Sequence, residues 1–232
     1  MPNATSPNFD EGTFAQLPRW TVQLRPETYI ASRISSTSQL QRLVQESALS
    51  LRGWAFPIVG RVTGAVWTNF DGGSQSYFNA RGQRPEALRA YKSGLVVWSC
   101  GIGEDTWHGL AGQNVISFVA LIYSVTEWVL FATRFYEAIL SVDERVHLTV
   151  CASGIKGRRL ISVDPSAVLY GDFRIEVPEF EISETAGVSE LRADSETIAR
   201  RIIRRIFELF NWNDPDEKML LSWQQKLLQR QF

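Results

Sequence analysis

Acidic side chains are the first candidates for chemistry. Asp172, Glu176, Glu179 and Glu181 fall close together, and in a strand Asp172 and Glu176 share one face with Arg174 between them. Convergent carboxylates beside a Lys are what nuclease-like acid–base chemistry requires. No Lys falls in this stretch, and a solvated strand face explains the same pattern. A nuclease-like enzyme with its site near Asp172 and Glu176 is therefore the alternative reading. Metal chemistry has less to draw on. His108 and His147 are the only histidines, Cys100 and Cys151 the only cysteines, and no pair has ligand spacing. No metal and no cofactor is expected. Gly101-Ile102-Gly103 follows a strand-like run, where a phosphate loop belongs. It lacks the third glycine and the Gly-Lys-Ser/Thr ending, and Glu104-Asp105 would repel phosphate. No Gly-x-Ser-x-Gly occurs to mark a serine nucleophile.

Basic side chains form three groups. Arg200, Arg201, Arg204 and Arg205 lie at helical spacing and make a cationic face over two turns. Lys156, Arg158 and Arg159 cluster at an expected hairpin tip. Arg81, Arg84, Arg89 and Lys92 make the third group. Each group could grip phosphates. Each also looks like an ordinary solvated surface, and the net charge of −1 supplies no global attraction to nucleic acid or to an anionic membrane. Nucleic acid enters only as a partner of these local patches.

Something must position these groups, and the chain is organised around one apolar stretch, Asn114 to Ser141. Neither Pro nor Gly interrupts Val115–Leu140. As a helix that segment is about 39 Å long. Its polar residues Ser117, Ser124, Glu127, Arg134, Glu137 and Ser141 are spaced 7, 3, 7, 3 and 4, which keeps them on one narrow stripe. The stretch is long enough to span a bilayer. Glu127 near its middle and the lack of a basic flank argue for a buried core helix and against a span.

The remaining elements follow from pattern. Residues 1–19 read as a flexible polar tail that Phe9, Phe14 and Trp20 could pin down, and residues 20–232 as a single α+β domain. Thr21–Leu24 is a candidate strand. Ser36 with Gln39 fits a capping box opening a helix with Leu40, Leu43, Val44, Ala48 and Leu51 on one face, ended by Gly53. Trp54–Val59, Val62–Phe70, Gln75–Asn79 and Leu95–Cys100 read as strands, with a turn at Asp71-Gly72-Gly73. Pro85 suits the first turn of a short helix through Lys92. Arg145–Cys151 alternates, with Arg159–Val163 its expected hairpin partner, and Phe173–Ile182 reads as a further strand. Two helices finish the chain, Ser195–Trp212 with Asp194 as N-cap, and Pro215–Gln229. The sum is a mainly antiparallel sheet packed around one long buried helix. Two buried thiols suit a reducing compartment, and the first twenty residues show no secretory pattern, so a cytoplasmic location is expected.

Three stretches carry a family resemblance: LRGWAFPIV at Leu51–Val59, ALRAYKSGLVVW at Ala87–Trp98 with the GIGED that follows, and SVTEWVLFATRF at Ser124–Phe135. Together they resemble the C-terminal accessory region of bacterial Schlafen-like proteins, whose N-terminal part is an AlbA-type ATP- or DNA-binding module. Thr126, Glu127, Phe131, Ala132 and Arg134 fit the helix pattern, and Tyr91-Lys92-Ser93-Gly94 fits the turn. This chain has no AlbA-type module. The resemblance implies an accessory or sensing role in an intracellular bacterial system, such as anti-phage defence, and it transfers no catalytic residue.

Residues and resemblance lead to the same expectation. The protein is a non-catalytic recognition or regulatory subunit working with a protein partner, an effector or an ATPase, and without a membrane. A carboxylate buried on an apolar helix needs a donor. Arg134 and Glu137 are spaced to pair with each other. Lys92, or a backbone N–H of its turn, is the expected donor for Glu127. Lys92, Glu127, Arg134 and Glu137 are thus the expected binding site, with Glu127 and Arg134 both largely buried.

Overall fold

Alternating apolar residues build the sheet. The computed structural model describes residues 11–59, 65–79, 84–164 and 167–231. The chain enters through a short helix α1 (Glu11–Gln16), whose Phe14 is buried and packs edge-on to Tyr77. Strand β1 (Arg19–Pro26) turns Trp20, Val22 and Leu24 inward. Helix α2 (Thr37–Ser47) follows, then β2 (Val66–Phe70), β3 (Gly73–Phe78), β4 (Glu86–Tyr91) and β5 (Val96–Gly101). A short strand β6 (Val115–Ser117) leads into helix α3 (Phe118–Glu137). Strands β7 (Arg145–Ser153), β8 (Arg159–Ile161) and β9 (Glu179–Gly187) precede helices α4 (Val188–Leu209) and α5 (Glu217–Gln229).

Seven strands form one antiparallel sheet in the order β2-β3-β4-β5-β1-β7-β9, while β6 and β8 pair in parallel beside it. With five helices among the described residues, the fold is α+β. One face of the sheet carries the core. The other carries cross-strand polar pairs such as Thr21–Ser99 at 3.0 Å and Thr149–Ser183 at 3.0 Å, as expected of an antiparallel sheet covered on one side. Close approach demands a small residue at Gly73, where a Cβ would run into the Ala90 carbonyl of the neighbouring strand.

Helix α3 lies on the apolar face. Trp128 packs on Trp20 and Trp98 with ring centroids 5.8 and 5.7 Å apart, and Phe56 packs edge-on to Trp98 at 5.1 Å. Such aromatic contacts add to area burial. Helices α4 and α5 cover the remaining sides of α3 through residues such as Leu191, Ile198, Leu220 and Trp223. The helix is long and apolar enough to cross a bilayer, at about 30 Å, but most of it is enclosed by the fold.

Several elements differ from the sequence reading. The core helix starts at Phe118, because Val115–Ser117 pairs with β8 and Ser117 caps the helix by accepting from the Ala120 N–H at 3.3 Å. The Pro85–Lys92 helix is instead β4. Its neighbours β3 and β5 bury Glu86, Leu88 and Ala90 in alternation, and tertiary pairing overrides local helix propensity. Arg159–Ile161 pairs with β6, not with β7, whose two edges are taken by β1 and β9. Trp54–Val59 is no strand and makes a single bridge, Leu49 to Phe56. Residues 173–178 likewise contribute only a bridge at Arg174, the strand running instead over Glu179–Gly187. Helix α2 ends at Ser47, before Ala48, and Gly53 lies in the loop beyond it with φ of 85°. The Ser36 cap does form, accepting from the Gln39 N–H at 3.2 Å. Asp194 sits at a break inside α4 with φ of −150°, so the helical run does restart at Ser195. Phe9, Val62 and Arg81 lie outside the described residues.

Candidate functional site

The stripe on α3 is met by the segment that follows α2. Glu127 is fully buried, and Nη2 of Arg52 donates to its Oε2 in a short ion pair. The same nitrogen lies 3.3 Å from the Ser124 hydroxyl. The second oxygen of Glu127, Oε1, has no hydrogen-bond partner, nor has Nε of Arg52. Burial raises the Glu127 pKa above the ordinary carboxylate value, and Arg52 opposes that rise. Beyond the pair, the Arg52 guanidinium stacks over Trp54 with 5.1 Å to the ring centroid.

Arg52 and Ser124 form part of the wall of a cavity of about 750 Å³. It lies beside the first turns of α3, bounded by Trp20 of β1, the loop carrying Arg52 to Ile58, and the turn Gly103–Trp107. Trp20, Trp54, Phe78, Trp107 and Tyr123 supply aromatic walls, and Ile116, Val119, Leu121 and Val163 aliphatic ones. Trp54 is 49% exposed and Trp107 38%, so both large rings stand at an open rim. A concave, mostly apolar site with a few polar groups is the usual form of a small-molecule pocket.

The polar groups of the wall differ in how they are occupied. Glu104 is buried and accepts from the Ser117 N–H at 2.7 Å. Burial raises its pKa, and that N–H opposes the rise. Asp164 has interactions of its own. Behind the wall, Glu86 accepts from the Ile58 N–H at 2.7 Å, and burial raises its pKa too. Burial, joined by Glu86 and Glu104 and opposed by Arg84 and Arg52, pushes the Cys100 thiol up to about 12. Arg84 is the exception. It is half-buried, lines the cavity, and makes no hydrogen bond or salt bridge to the described residues. Its guanidinium carbon lies over the Trp98 ring, 5.9 Å from the centroid. Burial opposes its charge, but Cys100, Glu86, Glu104 and Glu127 together hold the guanidinium above its ordinary pKa.

The expected site of Lys92, Glu127, Arg134 and Glu137 does not assemble. Arg134 is exposed rather than buried, and donates to the Ala48 carbonyl at 3.2 Å. Glu137 faces Arg192 at 3.6 Å instead of Arg134. The Lys92 backbone serves the fold, donating to Gly72 and accepting from Ile34. The Tyr91–Gly94 turn does reach the helix, but through the Tyr136 hydroxyl, which donates to the Gly94 carbonyl at 3.0 Å. The donor for Glu127 is Arg52, which the sequence reading missed. Its signal was an Arg two residues before Trp54, between Leu51 and Gly53, in a chain with a buried carboxylate to satisfy.

The nucleic-acid candidates fare unevenly. Arg158 is buried and holds Asp105 with two bonds of 2.8 and 2.6 Å while donating to the Val115 carbonyl at 3.2 Å, so it is not available to phosphate. Lys156 and Arg159 remain exposed. On α4, Arg200 pairs with Glu217 at 3.0 Å, Arg201 with Glu184 at 2.7 Å and Glu190 at 3.0 Å, Arg204 with Glu217, and Arg205 donates to the Ser183 carbonyl at 2.7 Å. That face is largely neutralised by its own fold. Asp172 and Glu176 are exposed, Asp172 is held by Arg174 at 2.8 Å, and neither lines the cavity. His147 bonds Thr185 at 2.9 Å, and no cluster of metal-ligating side chains occurs among the described residues.

No protein-family model matches the chain, and comparison with curated proteins and with solved structures gives no significant match.

Proposed function

We propose that the protein is a non-catalytic recognition module that captures a small molecule in the aromatic cavity beside α3 and works with a separate effector. The cavity itself carries the reading. At about 750 Å³ it falls in the range of ordinary ligand pockets, and its walls are aromatic and aliphatic with few charges. Among the described residues around it, Glu86 and Glu104 are engaged with backbone N–H groups and Glu127 with Arg52, and burial raises the Cys100 thiol. The setting implied by the sequence resemblance, an intracellular bacterial defence system with a protein effector, rests on the three stretches that carry it. All three supply cavity-lining residues: Arg52, Trp54 and Ile58 from the first, Gly103 and Glu104 from the GIGED of the second, and Ser124 from the third.

The test is a thermal-shift screen of small aromatic and amphiphilic compounds against the wild type and Ala120→Phe. Ala120 lines the cavity, and Ala120→Phe places a phenyl ring at that wall. A ligand that binds only the folded protein raises its midpoint. Compounds that stabilise the wild type and leave Ala120→Phe unmoved support the reading. A wild type that responds to nothing, or a variant that responds equally, contradicts it.

A further inference from the structure

We infer that the cavity takes an organic anion, with Arg84 holding its carboxylate or phosphate and the tryptophan rings holding a flat body. This rests on the cavity being a ligand site and adds the charge and shape of the ligand. Arg52 is committed to Glu127 and Ser124. Glu104 is committed to the Ser117 N–H. Asp164 has contacts of its own. Of these wall groups, Arg84 presents a guanidinium with no acceptor among the described residues, and a guanidinium carries five N–H donors in a planar fork that matches a carboxylate or a phosphate oxygen pair.

The acids nearby do not quench Arg84. Glu86 and Glu104 influence it through space, yet neither closes a salt bridge with it. Each is turned to a backbone N–H instead, at 2.7 Å. The through-space field of these acids keeps Arg84 charged, while its N–H donors have no hydrogen-bond acceptor among the described residues. An entering anion supplies the missing acceptor. The rest of the molecule is specified by the walls. Trp20 forms one side, and Trp54 and Trp107 stand exposed at the rim, where aromatic faces suit a planar ring. Arg52 already shows that Trp54 accepts a flat partner over its face. Aromatic carboxylates and nucleotides share this chemistry, a planar ring with an anionic group.

Calorimetric titration of the wild type, Arg84→Gln and Ala120→Phe separates the possibilities. The probes are two matched sets: indole-3-acetate with its neutral counterpart tryptophol, and AMP with adenosine. Circular dichroism verifies that each variant is folded. The expected result is that at least one anion binds the wild type about tenfold or more tightly than its neutral counterpart. Arg84→Gln should erase that preference and leave the neutral compound unchanged. The set that shows the preference tells whether a carboxylate or a phosphate is the natural head group. If neutral and anionic members bind alike, and Ala120→Phe abolishes both, the cavity is a ligand site but the anion inference is wrong. If no probe binds, or binding survives Ala120→Phe, both ideas fall together.

Discussion

Arg52 and Glu127 form an ion pair in which the carboxylate is sealed and the guanidinium is not. Glu127 has no exposure, while the Arg52 side chain retains 11% and reaches the cavity and Trp54. The asymmetry has an energetic consequence. Removing Arg52 leaves a buried carboxylate with no donor, whereas removing the charge of Glu127 leaves a cation that still meets Ser124, an aromatic ring and the cavity. Arg52→Met should therefore cost about 3–5 kcal/mol, and Glu127→Gln about 1–2 kcal/mol. Replacing both by apolar residues should recover much of the loss. Urea denaturation of the four proteins measures this. Equal costs for the two single variants would show that the pair is not asymmetric.

Acidification should stabilise the protein before it destabilises it. Glu86, Glu104 and Glu127 all have pKa values raised by burial above the ordinary 4.5. Between 4.5 and those raised values the folded state keeps protons that the unfolded chain has lost. Their contribution to stability is thus fully present below 4.5 and is lost as pH rises through the raised values. Glu144 runs the other way. Despite some desolvation, Ser141 and Arg33 lower its pKa, so its contribution is present above 4.5 and fades as pH falls through the lowered value. Denaturant midpoints should rise as the pH falls through the raised values toward 4.5. Glu127→Gln should flatten that rise, and an unchanged slope in the variant would remove Glu127 as a contributor.

The course of these side chains was only partly legible in the chain. The alternation of Arg145–Cys151 and the Ser36 cap are local signals, and both appear in place. Pro85 followed by Glu, Ala and Leu has strong local helix preference, and only pairing with β3 and β5 makes the segment the interior strand β4. The stripe on α3 was visible as a stripe, and its need for a donor followed from physics. Which donor did not, because Arg52 and Glu127 are brought together by the packing of α2 and its following loop on the helix, a long-range fact with no spacing signature. Arg84 was noticed as one of a basic group, but its separation from the others, and its place on a cavity wall, are properties of the fold alone.

Arg158 and Asp105 tie β8 to the turn that borders the cavity. Arg158 is almost fully buried, and both of its terminal nitrogens are spent on Asp105. Asp105→Ala leaves that cation buried and unpaired, which should cost about 3 kcal/mol. It should also loosen the Gly103–Trp107 turn. Hydrogen exchange of the amides of Thr106 and Trp107, which now donate to Gly103 and Glu104, should accelerate in the variant. Unchanged exchange would show the turn to be held by other contacts.

The arginines of α4 should behave as structural groups. Arg201→Gln removes contacts to Glu184 and Glu190 on a partly exposed surface, with an expected cost of about 1 kcal/mol or less. Fluorescence anisotropy with a duplex oligonucleotide should give the same weak titration for the wild type and for a variant with Arg200, Arg201, Arg204 and Arg205 all changed to Gln. Binding that drops sharply in the variant and falls steeply with salt would instead mark this face as a phosphate contact surface.

The most direct test of the cavity as the recognition site is fluorine NMR of protein carrying 5-fluorotryptophan, titrated with the aromatic anion 1-anilinonaphthalene-8-sulfonate. The eight tryptophans give eight resonances, assigned by single Trp→Phe substitutions. Trp20, Trp54 and Trp107 line the cavity, whereas Trp212 is stacked between Phe173 and Phe207 with no part in it. The prediction is that the resonances of Trp20, Trp54 and Trp107 shift saturably while that of Trp212 stays in place, and that Ala120→Phe abolishes the shifts. Shifts centred on Trp212, or shifts of the cavity tryptophans that persist in Ala120→Phe, would contradict it.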